Sequence, residues 1–222
     1  MTERLSQQPT STDPFSLLSC SGLTKYSSGS AATSWTILPS GGLEALQTFI
    51  FNLTTPGPNP DRQEAPHPHE VILDPTGTFI VVPDLGADLL RIFSIDPKTS
   101  LLTESIPFHV PAGSGPRHGT FLKTESGKMF FFLISELANT IASYEVEYYG
   151  HGLNFTNVFS SGIYGNRTIP DGAAAAEAIL SVSPPFCTDR VRMLIENFSR
   201  ITNSSSLRLA TQRSLNSPIS TR

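Results

Sequence analysis

Cysteine is nearly absent: the 222 residues hold two, Cys20 and Cys187. Both fall near the chain ends, so neither a disulfide framework nor a zinc site is supported. Long apolar runs are missing too. The longest, Met129-Phe130-Phe131-Phe132-Leu133-Ile134, has six residues, far short of the ~20 that a membrane-spanning helix needs, and no membrane partner is expected. Basic charge is scarce: 15 Lys and Arg against 19 Asp and Glu leave a net charge of −4, which gives no footprint for nucleic acid. Charged residues make up 15% of the chain, too few for a solvating disordered polymer. The amino terminus lacks an apolar core flanked by basic residues, so no secretory signal is expected and a cytoplasmic location is favoured. Asn-X-Ser/Thr sequons at Asn52, Asn154, Asn166, Asn197 and Asn203 keep secretion open.

What is present is a repeat. A stretch opening on a histidine behind a proline occurs twice, from His69 to Leu85 and from His118 to Leu137, with Gly77 aligned to Gly127 and Phe93 to Tyr144. A period of about 50 residues suits one blade of a β-propeller. Each copy reads as a four-stranded antiparallel sheet, because short β-rich runs alternate with turn signals. In the first, Glu70 to Leu73 is the inner strand, Asp74-Pro75-Thr76-Gly77 the turn, and Phe79 to Val82 and Leu89 to Ile95 the next strands. A weaker fourth lies near Pro107 to Val110. In the second copy, Gly119 to Leu122, Lys128 to Ser135, Thr140 to Glu147 and Leu153 to Ser160 fill the four places.

Partial blades flank this pair. Tyr26 to Leu38 and Leu43 to Leu53 read as the end of a preceding blade. Ala173 to Val182 reads as the start of a following one, with Glu177 where the earlier copies carry His69 and His118, but the second strand expected after Pro184 is not visible. The expected fold is therefore all-β, an incomplete β-propeller of four-stranded antiparallel blades with two full and two partial blades. It spans residues 26–184, between an unpatterned segment at 1–25 and an unpatterned tail at 185–222 that is expected to be disordered. Thr54 to Pro68, rich in proline, is the linker between blades.

Several motifs resemble one family. Gln63-Glu64-Ala65-Pro66-His67-Pro68-His69, Asp74-Pro75-Thr76-Gly77 and Val82-Pro83-Asp84-Leu85-Gly86-Ala87-Asp88 recur in register with Gly113-Ser114-Gly115-Pro116-Arg117-His118 and Ser135-Glu136-Leu137-Ala138-Asn139-Thr140. Together with Ile169-Pro170-Asp171-Gly172, they resemble the seven-bladed propeller lactonases, which include propeller-type 6-phosphogluconolactonases and fungal carboxy-cis,cis-muconate cyclases. The resemblance covers about Tyr26 to Pro184. It implies that His69, Arg117 and Glu136 face the central cavity, and that a further arginine in a Ser-Asn-Arg motif of the third blade has no match here.

The resemblance further implies an enzyme acting without cofactor or metal on a small anionic lactone or carboxylate, by lactone hydrolysis or carboxymuconate cycloisomerisation. The alternative is an inactive propeller fragment or an interaction module, since fold alone does not decide function. Arg117 is the expected anion clamp, because a guanidinium holds a carboxylate or phosphate by paired hydrogen bonds. His69 and Glu136 are the expected acid–base groups, and His118 and His67 further substrate contacts. Bland readings stand beside these: His118 tying inner strands together, Arg117 as a solvated loop residue, Glu136 merely pairing with Arg117, and Asp84 and Asp88 as turn caps. Gly113-Ser114-Gly115 is not followed by a helix, so a phosphate loop is disfavoured.

Overall fold

The computed structural model describes residues 16–21, 30–181 and 192–199, and the elements there are all β-strands. Strands β1 (Ser16–Ser21), β2 (Ser30–Ile37) and β3 (Leu43–Phe51) form a first antiparallel sheet. The second contains β4 (Ile72–Leu73), β5 (Phe79–Asp84) and β6 (Leu89–Ile95), with β7 (Leu102–Glu104) and β8 (Phe108–His109) both pairing with β6. The third is the regular blade, β9 (Pro116–Lys123), β10 (Met129–Ser135), β11 (Thr140–Tyr149) and β12 (Gly152–Gly162). The last described pair is β13 (Ala173–Ser181) with β14 (Arg192–Ser199).

Three expectations need correction. The weak fourth strand of the second sheet is two short pieces rather than one, since Ser105 turns back to the Ile92 carbonyl between them. Strand β1 lies inside the segment 1–25 that was expected to be unpatterned, and its six residues are fully paired with β2. Strand β14 lies inside the expected tail 185–222 and supplies the second strand that the third repeat was thought to lack. Strand pairing thus extends beyond residues 26–184 at both ends. Ser and Asn in Arg192–Ser199 obscured a strand whose partner, not its own composition, stabilises it. Cys187, Arg190 and Arg200 lie outside the described residues.

The turns follow from their chemistry. Asp74 accepts from the backbone of Thr76, Thr78 and Phe79 at 2.7–2.9 Å, and Gly77 takes φ 72°, where a side chain would be strained. Alternate residues of each central strand then pack toward opposite neighbours. From the second sheet, Ile80, Val82 and Phe93 meet Ala32 and Phe51 of the first. Phe79, Val81, Leu90 and Ile92 meet Met129, Phe131, Leu133 and Tyr144 of the third. On the far side, Ile134 packs on Ala175 and Ala178. This double-sided burial explains the apolar run at Met129–Ile134, as expected for a strand between two neighbours.

Gly119 is the tightest point of the inner strands. A Cβ there would lie 2.3 Å from the ring of the fully buried Phe131 and 2.8 Å from the Phe132 carbonyl oxygen. Gly119→Ala should therefore destabilise the chain by about 1–3 kcal/mol through overpacking. Urea denaturation would read this as a lower midpoint, and an unchanged midpoint would contradict the packing described.

Candidate functional site

The inner strands share one irregularity. In the third sheet Ile134 pairs with His118 but Ser135 pairs with Pro116, so Arg117 is an extra residue in a β-bulge. In the fourth, Glu177 pairs with Glu196 and Ala175 with Asn197, leaving Ala176 over. In the second, Ile72 pairs with Val81 while Pro68 bridges Asp84, which requires the same slip of one residue, and the His69 N–H reaches the Pro83 carbonyl at 2.9 Å. His69, Arg117 and Ala176 are thus equivalent, and so are Glu70, His118 and Glu177. The alignment of His69 with His118 is corrected by one residue. Bulges re-aim side chains at functional edges, and here they present two successive side chains from each strand.

Glu136 anchors the cationic half of the site. Its Oε2 accepts from Arg117 Nε at 2.9 Å, and its Oε1 from Arg62 Nη2 at 2.6 Å. The Arg117 fork also donates to the Ala176 carbonyl. A guanidinium has five N–H donors, and these contacts use two. Arg62 was missed by sequence reading because it sits in the proline-rich linker. What places it is Gln63, whose buried amide donates to the Leu85 carbonyl at 2.9 Å and accepts from Asn59 N–H at 3.1 Å. The loop before Arg117 is held from the neighbouring sheet, where Asp88 accepts from Gly113 N–H at 2.6 Å and Gly115 N–H at 2.9 Å.

The other half is a chain of titratable groups. Glu177 Oε2 lies 2.6 Å from His118 Nδ1, and His118 Nε2 lies 3.1 Å from His69 Nδ1. Glu70 Oε2 accepts from the Gly119 backbone N–H at 2.8 Å. Burial pushes the Glu70 carboxyl up to about 7, helped by the nearby Glu177 charge against the Gly119 bond and Arg117. His69 is accessible at the open edge, yet surrounding protein strips enough of its hydration, with Arg117 and His118 adding to the effect, to lower it to about 4. His118 is lowered as well, by burial first and then by Arg117.

The structure thus brings four of the five expected residues to the inner ends of neighbouring sheets, Arg117 bonded to Glu136 and His69 in contact with His118. His67 is placed differently: its ring lies 3.1 Å from Glu64, and its backbone bonds to Asp84 and Leu85. Glu70 and Glu177 were legible as sequence neighbours of the motif residues but were not selected as site residues. Ligand atoms of Glu70, His118 and Glu177 all lie within 4.8 Å of one another, although the 2.6 Å contact of His118 with Glu177 is a hydrogen bond whose proton a cation would have to displace. Asp84 behaves as a turn cap, accepting from Ala87 N–H at 3.1 Å and pairing with Arg91. Among the described residues no arginine takes the third-blade place: Asn197 pairs as Ser135 does, so Phe198 stands level with Glu136 in the ladder.

Comparison with known proteins agrees with this architecture. The family model described as lactonase, 7-bladed beta-propeller matches residues 12–217. A probable 6-phosphogluconolactonase of Arthroderma benhamiae is 38% identical over 160 residues, 71% of this chain and 39% of that protein. The 6-phosphogluconolactonase of Bacillus subtilis is 35% identical over 46% of this chain and 28% of its own length. The chain therefore spans well under half of these relatives. A solved structure from Lactobacillus plantarum is 28% identical with a TM-score of 0.56, over 68% of this chain and 41% of that one. A periplasmic gluconolactonase of Pseudomonas aeruginosa, 22% identical with a TM-score of 0.57 over 76% and 44%, shares the fold.

The shifted groups oppose one another in stability. Glu70 holds its proton from its ordinary 4.5 up to about 7 in the folded chain, so its contribution is present below pH 4.5 and lost as pH rises through 7. His69 is depressed from 6.5 to about 4, so the unfolded chain takes up the proton first and stability falls as pH drops from 6.5 toward 4. Glu70→Gln removes the first slope, and its urea midpoint should climb more steeply than the wild type's between pH 4.5 and 6.5. Parallel profiles would refute the placement of Glu70.

Proposed function

Because the chain belongs to the seven-bladed β-propeller lactonase family, we propose that it carries a site for opening the ring ester of a small anionic sugar lactone, a phosphorylated aldonolactone, by water and without a cofactor. The observation that carries this reading is the pair of guanidiniums, Arg62 and Arg117, on the buried Glu136 carboxylate beside an imidazole that stays neutral. The 6-phosphogluconolactonase relatives favour lactone hydrolysis over muconate cyclisation.

In this reading a phosphate or lactone oxygen meets the Arg117 fork, which can offer paired hydrogen bonds. His69 takes a proton from water, and the hydroxide adds to the lactone carbonyl carbon. The resulting oxyanion is stabilised by the guanidinium charge. Collapse breaks the bond between the carbonyl carbon and the ring oxygen, which accepts a proton from Glu70. A carboxyl with a value of about 7 is suited to that donation near neutrality. The proton on His69 passes back to Glu70 and resets both groups. Glu136, with each oxygen on a guanidinium, orients Arg62 and Arg117 in this scheme, and the proton-donor role first expected of it moves to Glu70.

Proton release from 6-phosphogluconolactone, followed beside unphosphorylated gluconolactone and carboxymuconate, tests the assignment. The phosphorylated lactone should be preferred. His69→Asn should lower kcat by roughly 10²–10⁴-fold, whereas Arg117→Lys and Glu136→Gln should act chiefly on KM. A folded chain that accelerates neither lactone would overturn the proposal, and turnover of carboxymuconate alone would replace it with the cyclase reaction.

A further inference from the structure

We propose that Glu177 and His118 are positioning residues that hold His69 in the tautomer with its proton on Nδ1, leaving Nε2 with the lone pair. The chain of contacts runs from Glu177 Oε2 to His118 Nδ1 at 2.6 Å and from His118 Nε2 to His69 Nδ1 at 3.1 Å. A carboxylate oxygen only accepts. His118 Nδ1 therefore carries the hydrogen, because the opposite tautomer would set a nitrogen lone pair against an oxygen lone pair at 2.6 Å. A neutral imidazole has one donor and one acceptor nitrogen, so His118 Nε2 accepts. His69 Nδ1 must then donate, and Nε2 of a neutral His69 has no hydrogen. Each proton position follows from the one before it.

Burial, with Arg117 adding to it, holds both rings below the usual imidazole range. Arg117, on the bulge beside His118, opposes a positive charge on either imidazole, while Glu136 and Glu177 favour it and burial disfavours it most. Glu70 shares the cluster with His118 and Glu177. The order of residues is a product of the bulges, since Glu177 and His118 occupy equivalent positions on adjacent inner strands and His69 is the extra residue of the strand before. In Ser-His-Asp sites a buried carboxylate sets the tautomer of one histidine. Here the same logic is carried through an intervening imidazole.

The use of the Nε2 lone pair as a base for water rests on the function proposed above, but the tautomer does not. The full chain, labelled with 15N-histidine, reports it directly through long-range proton–nitrogen correlations at pH 7. His69→Gln and His118→Gln spectra assign the signals among the five histidines. Wild-type His69 and His118 should both show hydrogen on Nδ1. Glu177→Leu should shift His118, and with it His69, toward the other tautomer, and Glu177→Asp should restore the wild-type pattern. Hydrogen on Nε2 of His69 in the wild type, or a His69 tautomer indifferent to Glu177→Leu, would overturn the relay. In lactone turnover Glu177→Leu should lower kcat about 10–100-fold, the usual scale for an orienting partner, with KM unchanged and Glu177→Asp recovering the loss. Correct tautomers in a chain without lactonase activity would leave the relay standing and remove the function; active enzyme with the wrong tautomers would do the reverse.

Discussion

The site depends on a slip of one residue at the head of each inner strand. A regular strand turns successive side chains to opposite faces, so it could offer the centre only every second residue. The bulge breaks that alternation. His69 and Glu70, then Arg117 and His118, leave their strands as adjacent pairs, and the fourth sheet repeats the geometry with Ala176 and Glu177. Because the slip recurs at the same height, one residue type can be exchanged for another without moving the scaffold. Histidine, arginine and alanine take the extra place; glutamate, histidine and glutamate take the next. The small Ala176 is as informative as the charged residues, since its carbonyl receives the Arg117 fork.

Charge is divided across this frame. Glu136 draws Arg62 from the linker and Arg117 from the inner strand onto its two oxygens. A buried ion pair costs desolvation on both partners and stabilises only when the remaining polar atoms are satisfied, so the role of the triad is better seen in position than in net stability. Its effect on the neighbours is electrostatic. Arg117 contributes to keeping His69 and His118 uncharged, and it partly offsets the burial that raises Glu70. Burial thus separates a neutral base from a protonatable acid, raising the Glu70 carboxyl while it lowers the His69 imidazole, the arrangement by which paired titratable groups acquire different roles.

Much of this was legible in the sequence, and the failures have physical causes. The turn at Asp74–Gly77 and the two-faced run at Met129–Ile134 declare themselves through local chemistry, so the central blades are legible to within two or three residues, apart from the short β7. Strands β1 and β14 were missed because polar residues interrupt their apolar ones without a clean alternation, and their order comes from a partner strand. The equivalence of His69 with His118 was off by one because sequence alignment counts residues while a bulge hides one from the ladder. Arg62 was invisible for another reason: Gln63, a buried amide bonded to Leu85 and Asn59, converts a proline-rich linker into a fixed arm, and only tertiary contact reveals it. Phe198 of the fourth sheet stands level with Glu136 of the third, so that sheet carries no carboxylate at the equivalent place.

The bonds that build the site are also the seams between sheets. His69 to His118 and Glu70 to Gly119 join the second sheet to the third. His118 to Glu177 and Arg117 to Ala176 join the third to the fourth. Away from the site the same boundaries are held by apolar packing, with Phe131 and Tyr144 against the second sheet and Ile134 against Ala175. Apolar contacts are non-directional and set the spacing of sheets, whereas hydrogen bonds of 2.6–3.1 Å tolerate little sliding. The apolar cores therefore decide whether two sheets stay together, and the polar ring at their inner ends decides their register. A rotation of one sheet too small to open a core would lengthen the His118–Glu177 contact first, and proton placement would be lost before stability.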